Sequence, residues 1–455
     1  MLLEGVGTQK PQTAGARPRA AVKPMPEPQH EQALTAQCEQ TSPGATDLLG
    51  RALARENMAA AWKRVKANKG SAGVDGRTVQ DTGEYLKSAW PDIRARLLDG
   101  SYRPEPVRRV GIPKPGGGTR ELGIPTVVDR LIQQALLQVL QPLIDPTFSA
   151  HSHGFRPGRS AHGAVREAQQ YVQAGRGVVV DVDLEKFFDR VNHDILMDRL
   201  AKRIADKRVL GLIRRYLQAG AMARGLHIER EEGTPQGGPL SPLLANVLLD
   251  DVDRELERRG HCFVRYADDC NVYVRSLKAG QRVLHALRAA YAKLKLRVNE
   301  AKTAVAPVWE RKFLGFCMRR SKDGQVKLAI ATQAVQKAEQ RLRAITKRHR
   351  GCSMARVVED LQRFVPGWKA YFGLAENRSI LRTVDQWLRR RLRAVQLNQW
   401  KTGPTVYRAL RRLGASGTVA TYVARHTRRW WHCSLRLSNA LDIAYFDRLG
   451  VPKLS

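Results

Sequence analysis

Two adjacent carboxylates, Asp268 and Asp269, are the residues of this chain best placed to do chemistry. Residues 261–266 before them and 270–275 after them are rich in aromatic and β-branched side chains, so both flanks read as strands. A strand turns successive side chains to opposite faces. Neighbouring aspartates can therefore serve one site only where the chain bends, as at a hairpin tip. Carboxylates offered in that way suit a pair of divalent metals, the arrangement that makes or breaks phosphodiester bonds. Glu231-Glu232, Asp250-Asp251 and Glu359-Asp360 are acidic doublets too. Asp250-Asp251 falls in a helical pattern and is expected to do no chemistry. Upstream, residues 178–183 form an apolar strand ending in acids, with Asp181 and Asp183 on one face. Either is placed to join the pair, and the pattern does not choose between them.

The elements around these acids belong to a chain of 455 residues, 43% of them hydrophobic, with room for two or three domains. No apolar run approaches the ~20 residues of a membrane span, and the N-terminus lacks the apolar core of a secretory signal. The six cysteines form no C-x-x-C and read as reduced thiols, which suits a cytoplasmic, nucleic-acid-associated protein. A net charge of +35, from 78 Lys+Arg against 43 Asp+Glu, repels itself unless a polyanion neutralises it. Residues 331–455 hold 25 basic against 7 acidic side chains and five of the eight tryptophans. Cations interleaved with aromatics suit phosphate contact and base stacking.

Residues 1–46 lack periodicity and are rich in Pro, Gln, Ala, Gly and Thr, which predicts a disordered tail. Helical spacing runs from 47 to 65 and again over 86–98. Strands at 107–112 and 120–124 flank the glycine-rich Pro113-Lys-Pro-Gly-Gly-Gly-Thr119. Helices are expected over 128–140, 194–204, 210–217, 240–257 and 281–294, then short strands to 318. From about 333 to near 428 the chain reads as helical and basic.

Several blocks then occur in a telling order: Asp183-Leu-Glu-Lys-Phe-Phe-Asp189, Gly233-Thr-Pro-Gln-Gly-Gly-Pro-Leu-Ser-Pro242, Tyr266-Ala-Asp-Asp269, Leu296-Arg-Val-Asn-Glu-Ala-Lys302 and Phe313-Leu-Gly-Phe316. From about residue 50 to its end the chain resembles the bacterial group II intron reverse transcriptases. The resemblance implies a right-hand α/β polymerase, with fingers and an antiparallel palm sheet, followed by an all-α thumb and maturase region. The divisions are an N-terminal extension and start of fingers at 47–93, fingers and palm at 94–318, and thumb and maturase region at 319–455. The resemblance selects Asp183 over Asp181, so that Asp183, Asp268 and Asp269 hold two Mg²⁺ ions. Asp181 becomes an acid that tunes the field or caps a turn, and Asp189 a helix cap near Asn192.

The same resemblance makes Phe188 the steric gate against ribonucleotides, with Phe187 in the core. Lys114 and Arg120 match residues that clamp the triphosphate, Gln236 one near nucleotide and template, and Lys302 one that protonates leaving pyrophosphate. Phe313–Phe316 matches the primer grip. Within Ser152-His-Gly-Phe-Arg-Pro-Gly-Arg-Ser160, Arg156 or Arg159 would touch the template. Trp368, Tyr371 and Phe372 read as core. Arg389, Arg390, Arg391, Arg393, Arg411, Arg412, Arg428 and Arg429 are expected to meet intron RNA. The implied partners are intron RNA as template and splicing substrate, a DNA primer or target, and dNTPs. The sequence has no paired C-x-x-C of the HNH endonuclease that many relatives append, so priming from a nick or replication fork is expected. Two alternatives stand beside this: a free-standing reverse transcriptase of the retron, diversity-generating or CRISPR-associated kind, and a splicing-only RNA-binding maturase. The basic C-terminal region argues against the first, and intact Asp183, Asp268 and Asp269 against the second.

Overall fold

A computed structural model describes residues 47–113, 119–223, 226–228 and 232–454. The expected tail, Lys114 and the glycines of the 113–119 loop lie outside the described residues. The chain opens with α1 (Leu48–Ala52), α2 (Arg55–Ala67) and α3 (Val79–Leu98), then β1 (Val107–Pro113), β2 (Thr119–Ile124) and α4 (Val127–Ile144). The single helical run expected over 47–65 is broken at Ala54, whose extended backbone lets α1 and α2 pack separately on α4. Next come α5 (Ala161–Gln173), β3 (Val178–Val182), α6 (His193–Ala201), α7 (Lys207–Gln218), β4 (Ala221–Ala223), β5 (Leu226–Ile228) and α8 (Ser241–Arg258). The hairpin β6 (Cys262–Tyr266) and β7 (Asp269–Val274) follows, then α9 (Leu277–Lys293), β8 (Ala304–Pro307), β9 (Lys312–Phe313), β10 (Phe316–Arg320) and β11 (Val326–Ile330). Helices finish the chain: α10 (Thr332–Ile345), α11 (Met354–Tyr371), α12 (Arg378–Trp400), α13 (Gly403–Arg412), α14 (Gly417–Arg425), α15 (Trp430–Cys433) and α16 (Ile443–Arg448).

Among the described residues the strands form three sheets, in the orders β2-β1-β4-β5, β6-β7-β3-β8 and β11-β10-β9. The second is wholly antiparallel and is buried on both sides. Alternation along its strands explains how. Val180, Val182, Cys270, Val272 and Phe263 enter one core with α4, α8 and α9. Val179, Tyr273 and Val264 enter a second with α5, β10, β11 and the C-terminal helices. Each such side chain, fully buried, contributes about 1.5–3 kcal/mol. The division expected at 319 falls inside β10, which is hydrogen-bonded to β11 over Phe316–Ile330 to Arg320–Val326. That sheet is one unit because cutting it would strip a ladder of backbone bonds.

Asn192, rather than Asp189, caps α6, its side chain accepting from the Ile195 amide. Asp189 sits in a 3₁₀ turn before it. The aromatic reading of α11 holds: Trp368, Tyr371 and Phe372 pack with Phe316, the last three with ring centroids 4.9–5.9 Å apart.

Candidate functional site

Strand parity brings the acids together. β3 and β7 pair in the register Asp181–Asn271 and Val182–Cys270. Continued by one residue, that register sets Asp183 opposite Asp269. Both then stand on the face that carries Asp181, at the end of the sheet. All three line one cleft of about 1230 Å³. Asp268 lies in the turn between β6 and β7, which resolves how neighbouring aspartates reach one end of the sheet.

The bend rests on Ala267, whose φ of 58° is a left-handed conformation uncommon for a residue with a Cβ. A buried network holds it. Arg265, 1% exposed, donates to both carboxylate oxygens of Asp253 at 2.8 and 2.9 Å through Nε, to Asn246 Oδ1 at 2.8 Å and to the Ala267 carbonyl at 2.9 Å. Asn246 in turn donates to the Gly154 carbonyl at 2.9 Å. The Gly154 backbone presses against the turn so closely that a Cβ there would lie 2.1 Å from the Ala267 nitrogen. The sequence reading missed this support. Its signal was a charged residue at an inward position of a buried strand, which demands a buried acid.

Asp183 is tied to the segment after α9: its carbonyl accepts from the Asn299 amide at 2.8 Å, and its carboxylate from Lys302 Nζ at 3.0 Å. Lys302 thus reaches Asp183 while remaining largely exposed. Arg311, absent from the sequence reading, donates to Asp181 through Nε at 2.9 Å and Nη2 at 2.5 Å. Burial pushes the Asp181 carboxyl up, against the pull of Arg311. Asp269 is exposed at the cleft, with other groups packed close around its carboxyl. That crowding, with Asp268, Asp183 and Asp181 nearby, pushes its carboxyl up to about 6. Crowded carboxylates of this kind are hard-oxygen donors whose repulsion a dication relieves. Among the described residues no three acidic, His or Cys side chains already stand in a closed ligand set.

In the turn that follows Asp183, Phe187 is buried and Phe188 half-buried, their rings edge-on at 5.1 Å. The Phe188 carbonyl accepts from Thr234 at 2.7 Å, which clips the 233–238 segment against that turn. Further along, the Gly123 amide donates to the Gln236 carbonyl at 2.9 Å. Gly237 has a φ of 132°, and a Cβ there would meet the Gly123 carbonyl at 2.7 Å, so glycine lets this segment lie against β2. Arg120 pairs with Ile112 in the β1–β2 ladder. On the far side of the cleft, Arg319 and Arg320 of β10 add cations that the sequence reading also missed. The Leu314-Gly315 turn there is braced by the Tyr371 hydroxyl, which donates to the Leu314 carbonyl at 2.9 Å.

Two expected RNA contacts are corrected. All five N–H groups of Arg156 bond inward, to Asp145 and to the carbonyls of Asp145, Ser149 and Ser152, and its side chain is 5% exposed. Arg389, also buried, pairs with Asp385 at 3.6 Å and Asp447 at 3.8 Å. The Arg156 guanidinium is consumed by structure, and that of Arg389 is buried beside two carboxylates. Arg393 is half-buried and donates to the Leu441 carbonyl at 2.8 Å. Arg159, Arg411, Arg412, Arg428 and Arg429 are exposed, and Arg390 and Arg391 lie half-buried against tryptophans.

Comparison with known proteins gives the family. Residues 112–318 match the reverse transcriptase (RNA-dependent DNA polymerase) family model, and residues 335–414 the group II intron, maturase-specific domain. Protein YkfC of Escherichia coli (strain K12) is 33% identical over 327 residues, covering 62% of this chain and 86% of YkfC. The group II intron-encoded protein LtrA of Lactococcus lactis subsp. cremoris is 36% identical over 198 residues, covering 43% of this chain and 32% of LtrA. The solved partial Cas6-RT-Cas1–Cas2 complex aligns at 27% identity with a TM-score of 0.35, over 54% of this chain and 41% of that one. With both family models matched in order and most of YkfC covered, the chain belongs to the group II intron reverse transcriptases and maturases: an RNA-directed DNA polymerase followed by an intron maturase domain.

Proposed function

We propose that the acidic cleft extends a DNA primer along the host intron RNA, with the chain arranged as a right hand. The β2-β1-β4-β5 sheet and the helices around it would be fingers, the central sheet the palm, and α10 onward the thumb and maturase region. The carrying observation is the convergence of Asp183 and Asp269 on one cleft, with Asp268 in the adjoining turn. Asp183, Asp268 and Asp269 would hold two Mg²⁺ ions, which when bound supply charge neutralisation and an acidified hydroxyl. The primer 3′-oxygen attacks the α-phosphorus of a dNTP; one P–O bond forms, the bond to pyrophosphate breaks, and the hydroxyl proton departs.

The chain's own residues shape the rest. Phe188, five residues past Asp183 and only half-buried, would lie under the sugar and exclude a 2′-hydroxyl. The Gln236 segment, clipped between Phe188 and β2, would line the nucleotide and template, and Lys114 and Arg120 would clamp the triphosphate. Lys302, already at Asp183, keeps a cation where pyrophosphate leaves. Arg319, Arg320 and the Leu314-Gly315 turn would face the primer–template. Primer extension by Asp183→Ala and Asp268→Ala enzymes tests this: activity falls by at least ~10³-fold, and normal extension by either sinks the assignment. Phe188→Ala should incorporate ribonucleotides; a variant that still rejects them removes the gate.

A further inference from the structure

A second cavity, of about 420 Å³, opens among the C-terminal helices, away from every acid of the cleft. Its size lies within the range of small-ligand pockets. The end of α10 and the residues after it supply Arg343, Lys347 and Arg348; α12 supplies Trp387 and Arg391, and α15 supplies Trp431. No carboxylate lines it. Arg343 has an acidic partner, Glu339, at 3.4 Å. Among the described residues, none pairs with Lys347, Arg348 or Arg391. Arg391 is fixed by donating to Thr346 Oγ1 at 2.6 Å and to the Thr346 carbonyl at 3.3 Å. Burial, with Arg343 and Arg348 beside it, pulls its pKa below the usual arginine value. Cations without a carboxylate partner, Arg391 held in place among them, suit this pocket to an anion.

The aromatic half says which anion. The Arg391 and Arg343 guanidiniums lie 5.2 and 5.4 Å from the Trp387 ring centre, and Arg390 lies 3.8 Å over Trp431. Such contacts hold indole planes in place. Trp431 nevertheless keeps 40% of its surface exposed. A fixed, exposed indole beside unpaired cations matches a phosphate joined to a flat, unstacked base. Bases inside a duplex are hidden from such a surface.

We propose that this pocket takes one unpaired nucleotide of bound RNA, its phosphate at Lys347 and Arg348 and its base on Trp431. The proposal rests on the maturase region binding RNA and adds where, and in which strand state. Full-length protein would be titrated with a short oligoadenylate RNA, a blunt RNA duplex and AMP. Trp431→Ala should weaken oligoadenylate binding roughly tenfold, the effect of losing one base–aromatic stack. It should leave duplex affinity and primer extension unchanged, and Trp431→Phe should restore binding. Lys347→Ala/Arg348→Ala should lower the salt slope for oligoadenylate by about 0.7, the value for one phosphate on a single strand. Wild-type affinity of Trp431→Ala for oligoadenylate overturns the proposal, as does an equal loss for duplex. AMP that competes as well as the oligonucleotide makes this a free-nucleotide site and also overturns it. If wild-type protein binds neither RNA, the RNA-binding reading itself fails, which a pocket variant cannot mimic.

Discussion

Two acidic doublets in this chain share a sequence and differ in everything else. Asp250-Asp251 lies on α8, where Asp250 is buried and pairs with Arg203 at 2.6 Å, and Asp251 pairs with Arg199 at 2.6 Å. Asp268-Asp269 lies at a hairpin tip, and the charges beside Asp269 include Asp268, Asp183 and Asp181. In the first doublet every charge is answered within the protein, so it can only hold structure. In the second the acids crowd one end of the sheet, and the like charges help push the Asp269 carboxyl up to about 6. The functional quantity is the sign of the neighbours, not the acid itself.

The sharpest break of that contrast exchanges carboxyl for amide in each doublet. Asp269→Asn should reduce primer extension by ~10³-fold or more with the thermal midpoint unchanged; an active variant would place Asp269 with Asp250 as structural. Gly154→Ala comes next. The added methyl forces the Ala267 turn to move, and a shift of ~1 Å at a reacting centre costs about 10²-fold in rate. A full-rate Gly154→Ala enzyme would show that the turn tolerates displacement. For the helical doublet, Asp250→Asn should leave kcat alone and lower stability by about 2 kcal/mol, since it strands the partly buried Arg203. Urea unfolding measures this, and a catalytic loss at full stability would contradict it.

Asp129 gives a third kind of acid, buried among hydroxyls: Tyr102 donates to it at 2.8 Å and Thr126 at 2.7 Å. Burial outweighs those bonds and pushes its carboxyl up to about 6. A raised pKa binds protons more tightly in the folded state, so this group stabilises below about pH 4 and loses that contribution as pH rises through 6. Between pH 5 and 7 it should cost about 1 kcal/mol, a slope absent from Asp129→Asn. The smallest effect separates the arginines. Arg428→Ala/Arg429→Ala should lower the salt slope of RNA binding by about 1.5, while Arg156→Gln should leave it unchanged. An equal drop for Arg156→Gln would mean that its inward bonds open on binding.

The local pattern of residues determined a good deal. β-Branched and aromatic flanks around Asp268 announced a hairpin, apolar spacing marked α4, α8 and α9, and the ordered blocks drew Asp183 toward that hairpin. These features depend on residues a few positions apart, whose backbone preferences and periodicity act locally. Tertiary packing decided the rest. No spacing shows that Arg156 and Arg389 turn inward while Arg428 and Arg429 face solvent, because each outcome depends on what packs opposite: Asp145 in one case, Asp385 and Asp447 in the other. Nor does any local pattern link Gly154, Asn246 and Arg265 into the support beneath Ala267. The chain's own preferences choose its strands and helices. Only the register between β3 and β7, and the burial of charge behind their end, aims those carboxylates into one cleft.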